Sequence, residues 1–275
     1  GGLPAGTFTL ALTDAYGCSA VAEVILTEPA PLIATINSTV YSGGYTIPCA
    51  GLSIGTAEAS ATGGTPGYAF VWSGPDGFAS SDSSIISLSE GAYTVVATDI
   101  NGCTGSASIA LTAPAPLDAV IDIADLGGYP VTCAGNDGSA SVSVLGGAPP
   151  YFIGWTGPNG FASTQTAISG LGAGQYALTV IDANGCMLQD TVQLDAPEPI
   201  SASFSFTANT CSDDSTGSID LSLAGGAAPY AFAWTGPDGF SSADEDPSGL
   251  ATGSYSVTIT DDLGGHGLFG VALFV

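Results

Sequence analysis

Apolar and polar residues alternate over short stretches of this chain. Tyr93-Thr-Val-Val-Ala-Thr, Tyr255-Ser-Val-Thr-Ile-Thr and Ser218-Ile-Asp-Leu-Ser-Leu place an apolar side chain at every second position. Extended strands built this way carry one apolar face and one polar face. Thr, Val, Ile and Tyr also favour strands. No stretch sustains helical periodicity, and 40 Gly with 17 Pro break any long helix. Asp-Gly at Asp76 and Asp238, and Asn-Gly at Asn101, Asn159 and Asn184, supply the positive φ that tight hairpins need. Many short strands joined by regular turns predict an all-β chain of sandwiches.

The pattern repeats with a period of about 80 residues. Gly63-Gly-Thr-Pro-Gly-Tyr68 returns as Gly146-Gly-Ala-Pro-Pro-Tyr151 and as Gly225-Gly-Ala-Ala-Pro-Tyr230. Trp72, Trp155 and Trp234 follow, each leading into Gly-Pro-(Asp/Asn)-Gly-Phe, which ends at Phe78, Phe161 and Phe240. Leu-x-x-Gly-x-Tyr then ends at Tyr93, Tyr176 and Tyr255. The register sets Ig-like modules at 33–117, 118–200 and 201–275, while 1–32 matches only the second half of a module. Half a sandwich cannot bury its own apolar face. The expectation is that upstream residues complete it, with a second chain as the alternative.

Each module should hold about seven strands, with the Trp of the third strand in the core and the Tyr opening the sixth. The linkers Glu28-Pro-Ala-Pro-Leu, Ala113-Pro-Ala-Pro-Leu and Ala196-Pro-Glu-Pro-Ile are short, and Pro-x-Pro keeps them extended. They predict tandem modules arranged as a stiff rod.

Charge narrows the function. Lys plus Arg is 0 against 25 Asp plus Glu, a formal net charge of −25. Nucleic acid and anionic lipid both draw on Lys and Arg for affinity, so neither is expected as a partner. Lys-dependent isopeptide staples and cleavage after Lys or Arg are ruled out. No run is long enough to span a membrane, and the apolar end at 267–275 reads as a last strand, so membrane insertion is not expected. Gly1 opens no signal peptide, so the sequence reads as a mature form or a window on a longer chain. With one His and no Lys or Arg, most general-base, Schiff-base and anion-clamp chemistry is unavailable. The adjacent carboxylates Asp244, Glu245 and Asp246 have no counterparts in the other modules. The chain does not read as an enzyme.

Three features carry candidate chemistry. Asp99, Asn101, Asp182 and Asn184 recur at one turn, and Asp213 and Asp214 precede a Gly-containing loop. Oxygen ligands of this kind suit calcium, and the competing reading is an Asx-turn. Phe78, Phe161 and Phe240 either form exposed tips that grip a glycan or solid surface, or fold back onto the sheet. Six Cys suit an oxidising compartment. Pairing within modules gives Cys49–Cys103 and Cys133–Cys186, leaving Cys18 and Cys211; this is the favoured reading. Pairing across linkers gives Cys18–Cys49, Cys103–Cys133 and Cys186–Cys211. A third option joins Cys49 to Cys186. Zinc is disfavoured, since no Cys-x-x-Cys exists and His266 stands alone.

At Gly-Gly-x-x-Pro-Tyr, Trp-(Ser/Thr)-Gly-Pro-(Asp/Asn)-Gly-Phe, Leu-x-x-Gly-x-Tyr and Asp-x-Asn-Gly-Cys the chain resembles the SprB-type repeat of large surface adhesins of gliding bacteria. The resemblance implies Ig/PKD-like modules, type IX secretion, an extracellular cell-surface filament and no catalytic residues. Its partners would be neighbouring modules or identical subunits in a fibre. It also brings in a candidate O-glycosylation signal, Asp-(Ser/Thr)-x, at Thr191 and Ser215. Module three departs from the pattern, with Gly265 in place of Cys and an unusually apolar last strand. The sequence thus reads as the shaft of a fibre or adhesin serving attachment or gliding. The alternative is a glycan- or calcium-binding module acting through the Gly-Pro-(Asp/Asn)-Gly-Phe loops.

Overall fold

The computed structural model describes residues 2–133, 135–209 and 215–273. Among them, every regular element longer than one 3₁₀ turn is a β-strand. The chain opens with a hairpin of β1 (Gly6–Thr13) and β2 (Ser19–Leu26). A seven-strand set follows: β3 (Ile33–Asn37), β4 (Gly55–Thr62), β5 (Ala69–Ser73), β6 (Ala79–Ser80), β7 (Ser84–Leu88), β8 (Gly91–Thr98) and β9 (Thr104–Leu111). The second set is β10 (Asp118–Ile123), β11 (Gly138–Leu145), β12 (Phe152–Thr156), β13 (Ala162–Ser163), β14 (Ala167–Leu171), β15 (Gly174–Ile181) and β16 (Met187–Leu194). The third is β17 (Ser201–Thr207), β18 (Gly217–Ala224), β19 (Ala231–Thr235), β20 (Ser241–Ser242), β21 (Ser248–Leu250), β22 (Gly253–Thr260) and β23 (His266–Leu273).

Every set makes the same two antiparallel sheets. In the first, β3-β4-β7 faces β6-β5-β8-β9, and the other two sets repeat that order strand for strand. This is the strand order of an Ig-like sandwich. Alternation produces it directly: β4, β11 and β18 share one burial pattern, with every second residue of the first half buried. In the first set Ala57, Trp72, Ile85, Leu88, Tyr93, Val95, Ala97 and Leu111 close between the sheets, none more than 4% exposed. Trp155 with Val180 and Trp234 with Ile259 hold the equivalent places.

The chain divides into two compact units. One holds Gly1–Pro116, Gly146–Pro149 and Asn184–Cys186; the other holds Leu117–Leu145, Pro150–Ala183 and Met187–Val275. Within the first unit, β1 and β2 pair only with each other. They match β8 and β9 in motif and register, yet Leu10, Leu12, Val21, Val24 and Ile25 are all more than half exposed. Among the described residues no strand covers this hairpin as β3, β4 and β7 cover β8 and β9.

Candidate functional site: the repeated corner and the cysteine turn

The motif residues converge on two places in each set. The first is a corner where Trp-(Ser/Thr)-Gly-Pro-(Asp/Asn)-Gly-Phe meets Leu-x-x-Gly-x-Tyr. Asp76 and Gly77 both take positive φ, 52° and 77°, and Phe78 N–H donates to Pro75 O at 2.9 Å. Two such residues in succession make the tight turn that Asp-Gly and Asn-Gly favour. The turn brings Phe78 edge-on to Tyr93, ring centroids 5.4 Å apart. Phe161 meets Tyr176 at 5.4 Å and Phe240 meets Tyr255 at 5.3 Å in the same way. The phenylalanines are thus half-buried against their own sheets, and the exposed part of the loop is Asp-Gly or Asn-Gly.

The glycines here make room. A Cβ on Gly74 would lie 2.6 Å from the Tyr93 ring, and one on Gly157 2.4 Å from the Tyr176 ring. The tyrosine itself closes the corner: Tyr93 donates to Ser89 O at 3.2 Å, Tyr176 to Gly172 O at 3.1 Å and Tyr255 to Ala251 O at 2.9 Å. These are tyrosine corners at the start of the sixth strand. The Trp indoles donate to Asp82, Gln165 and Asp244 carbonyls.

The Gly-Gly pairs receive the proline linkers. Gly64 N–H donates to Ala30 O at 2.7 Å, Gly147 to Ala115 O at 2.9 Å and Gly226 to Glu198 O at 2.7 Å. A Cβ on Gly63, Gly146 or Gly225 would collide with the carbonyl oxygen of Pro31, Pro116 or Pro199. Each linker is therefore hydrogen-bonded to the set that follows it.

The second place is the turn that the sequence singled out for calcium. Asp99 is nearly covered, and both its oxygens are taken by N–H groups: Oδ2 from Thr65 at 2.9 Å, Oδ1 from Asn101 and Cys103 at 2.9 Å each. The Thr65 N–H, foremost, holds its carboxyl below the usual range, against the opposing effect of burial. Asn101 donates its amide to Thr65 Oγ1 at 2.8 Å. Asp261 builds the same turn in the third set, accepting from Leu263 at 3.1 Å and Gly265 at 2.6 Å. Asp182 is buried. Among the described residues no group of three or more His, Cys, Asp or Glu is placed to hold a metal. Asp213 and Asp214 lie outside the described residues.

Cysteine pairing departs from the favoured expectation. Cys49 bonds Cys186, across 137 residues of sequence, while Cys18 and Cys103 are exposed thiols and Cys133 a half-buried one. Cys211 lies outside the described residues. Cys49–Cys103 fails on distance. The loop carrying Cys49 is tied at Ile47 N–H to Thr112 O, whereas Cys103 sits beyond the far end of β9. Eight residues of strand separate those ends by about 27 Å. Asn184 sits beside the bond, accepting from Ser42 N–H at 2.9 Å and donating to Pro48 O at 3.2 Å. Period and spacing place the cysteines at equivalent positions, but the choice of partner depends on which loop a turn meets. Thr191 is exposed on β16, and Ser215 is exposed as well.

Two stretches, 129–160 and 203–239, match the SprB repeat family. No curated protein matches the chain. Among solved structures, the tetra-tandem repeat in the extending region of a large adhesion protein is 17% identical, with a TM-score of 0.31, over 99% of this chain and 82% of that one. The N-terminal eight Ig domains of Down Syndrome Cell Adhesion Molecule are 14% identical, with a TM-score of 0.29, over 98% of this chain; the chain spans about half, 51%, of their length. A complex of Dpr2 Ig1-Ig2 with DIP-Theta Ig1-Ig3 is 12% identical, with a TM-score of 0.31, over 86% of this chain and 98% of that one. Both matched stretches fall within the second and third seven-strand sets and include Trp155 and Trp234; they end just before Phe161 and Phe240.

Proposed function

We propose that this chain is the repeat region of an extracellular bacterial surface adhesin, and that its seven-strand sets act as modules of a stiff shaft for attachment or gliding, reaching the surface by type IX secretion. The observation that carries the reading is that the repeated motifs are spent on the scaffold. Trp, Tyr, Phe and both glycine signatures go to core, corner and linker docking. Hydrogen-bonded Pro-x-Pro linkers favour stiffness, and the absence of any Lys or Arg suits exposure to proteases. The seven-strand sets support a reading of modules at 33–117, 118–200 and 201–275, with 1–32 as the second half of another, and neighbouring modules or identical subunits are the partners. Electron cryo-microscopy of the native material tests this: continuous rods with an axial repeat of several sandwiches are expected, and compact isolated monomers would overturn it. The same images with a calcium chelator test whether the turns carry the cation, which softening of the rods would reveal.

A further inference from the structure

We infer that the turn Asp99–Cys103 is a docking station for the loop of another module of this type, closed by a disulfide from that loop's cysteine to Cys103. The turn occurs four times, at Asp14, Asp99, Asp182 and Asp261, each followed two residues on by Tyr, Asn, Asn or Leu and four on by Cys, Cys, Cys or Gly. The backbone is the same wherever its bonds are described. Asp14, Asp99 and Asp261 N–H each donate to the carbonyl four residues on at 2.9 Å, and Gly17, Gly102, Gly185 and Gly264 all take φ between 79° and 86°.

Among the described residues, two of the four turns meet a loop. In the first compact unit, Asn184 grips Ser42 and Pro48, and Cys186 bonds Cys49. In the second unit, a Cβ on Gly127 would lie 3.1 Å from Leu263, and the Cys133 thiol donates to Asp261 Oδ2 at 3.2 Å. The occupying loops share a pattern: Gly43-Gly44-Tyr45 runs on to Cys49, and Gly127-Gly128-Tyr129 runs on to Cys133. Each loop joins the first two strands of one set, and the turn it meets joins the last two strands of the next set.

Asn101 and Cys103 repeat the residue types of Asn184 and Cys186, and both are exposed. The open turn therefore has the amide that takes the loop backbone and the thiol that takes the loop cysteine. A second observation points to the same occupant. The β1–β2 hairpin precedes set one as β8–β9 precedes set two, and its apolar face is bare. A further module whose strands covered this hairpin would also bring the loop between its first two strands to the turn at 99–103. Closing the bond takes two electrons and two protons from the two thiols and passes them to a small-molecule disulfide, which leaves as two thiols. The inference does not depend on whether the shaft reading is right.

The test extends the full chain. A second copy of residues 33–87 is fused ahead of Leu3, so that the added strands run into β1 in the register that joins Ser87 to Leu88. The protein is refolded with oxidised and reduced glutathione, alkylated, digested with pepsin without reduction, and weighed. The expected result is a peptide linking Cys103 to the added loop's cysteine, with Cys103 protected from alkylation. Replacing the added cysteine by Ser should return Cys103 to full alkylation. A parallel extension with residues 118–170, which bring the loop of Cys133, guards against misfolding of one added half. Cys103 alkylated in both extended chains, with Cys49–Cys186 formed as before, would overturn the inference.

Discussion

The turns Asp182–Cys186 and Asp261–Gly265 are built alike and held differently. Each meets a Gly-Gly-Tyr loop, and each has a cysteine facing it from that loop. At the first, Cys186 completes a disulfide with Cys49 and Asn184 hydrogen-bonds the loop backbone. At the second, Leu263 replaces the Asn and Gly265 replaces the Cys, so Cys133 turns its thiol to Asp261 instead. Burial, foremost, and then the neighbouring carboxylate push the Cys133 thiol above its ordinary range. The comparison teaches that docking does not need the covalent bond. Shape and a buried aspartate bring loop and turn together, and the disulfide is added where both cysteines are present.

The largest effect should come from removing that bond. Cys49→Ser is expected to lower stability by about 2–4 kcal/mol, the usual value of a disulfide closing a long loop. Cys133→Ser should cost well under half of that, since it exchanges one weak donor for another. Urea denaturation of both variants, followed by tryptophan emission, measures the contrast. Equal losses would mean that the two docking turns do not differ in the way described.

Gly265→Cys would make the second turn like the first. An ideal Cβ there stands 2.8 Å from the Cys133 Cβ, against about 3.8 Å in a relaxed disulfide. The turn must therefore yield by about 1 Å, and part of the stabilisation will go into that shift. The expected outcome is a bond to Cys133 worth about 1–2 kcal/mol, below the unstrained range. Non-reducing peptide mapping checks the bond, and the shift in urea midpoint checks its size.

Much of this was legible in the sequence, because each repeated motif has a local cause. Asp76-Gly77 dictates its own turn, and strand alternation in Tyr93-Thr-Val-Val-Ala-Thr dictates its own buried face. The role of Phe78 was open because nothing local says which side of a hairpin an aromatic will fold to; the space left by Gly74 beside Tyr93 decides it. The pairing of Cys49 was hidden for a stronger reason. Its partner lies 137 residues away, and a bond between two repeats leaves the same spacing in the sequence as a bond within one. A usable signal was Gly265: a lost turn cysteine, set beside a loop cysteine kept in the preceding module.

Asp261 offers a sharper test. It accepts from the Cys133 thiol, Ala227, Leu263 and Gly265. Asp261→Ala leaves buried donors unpaired and should cost about 1–3 kcal/mol. With Cys133→Ser already in place, the further loss should be nearly as large, because three of the four bonds are to backbone within reach of the turn itself. A much smaller loss in that background would mean that the carboxylate serves the cysteine rather than the turn.

The smallest effect is the dependence on pH. At Asp261 burial pushes the carboxyl up, but the Cys133 thiol and the Ala227, Gly265 and Leu263 N–H groups outweigh it and hold it below the usual range. Asp99 is held low mainly by Thr65 N–H, and Asp137 by the Thr132 hydroxyl and N–H. A carboxyl whose pKa is lower folded than unfolded stabilises the fold above the unfolded value, about 3.9, and loses that contribution as pH falls through the folded value. The urea midpoint should therefore stay level from about pH 7 to 5 and drop below about pH 4. Asp99→Asn should shrink the drop without abolishing it, and so should Asp261→Asn. The two turns differ in side chains, Asn101 and Cys103 against Leu263 and Gly265, and in what covers them, but they share the backbone bonds to the carboxylate, so the two reductions should be similar. A drop that only Asp261→Asn changes would show that a docked loop is needed to hold the carboxylate ionised, and that the open turn at 99–103 is not yet formed as its occupied counterpart is.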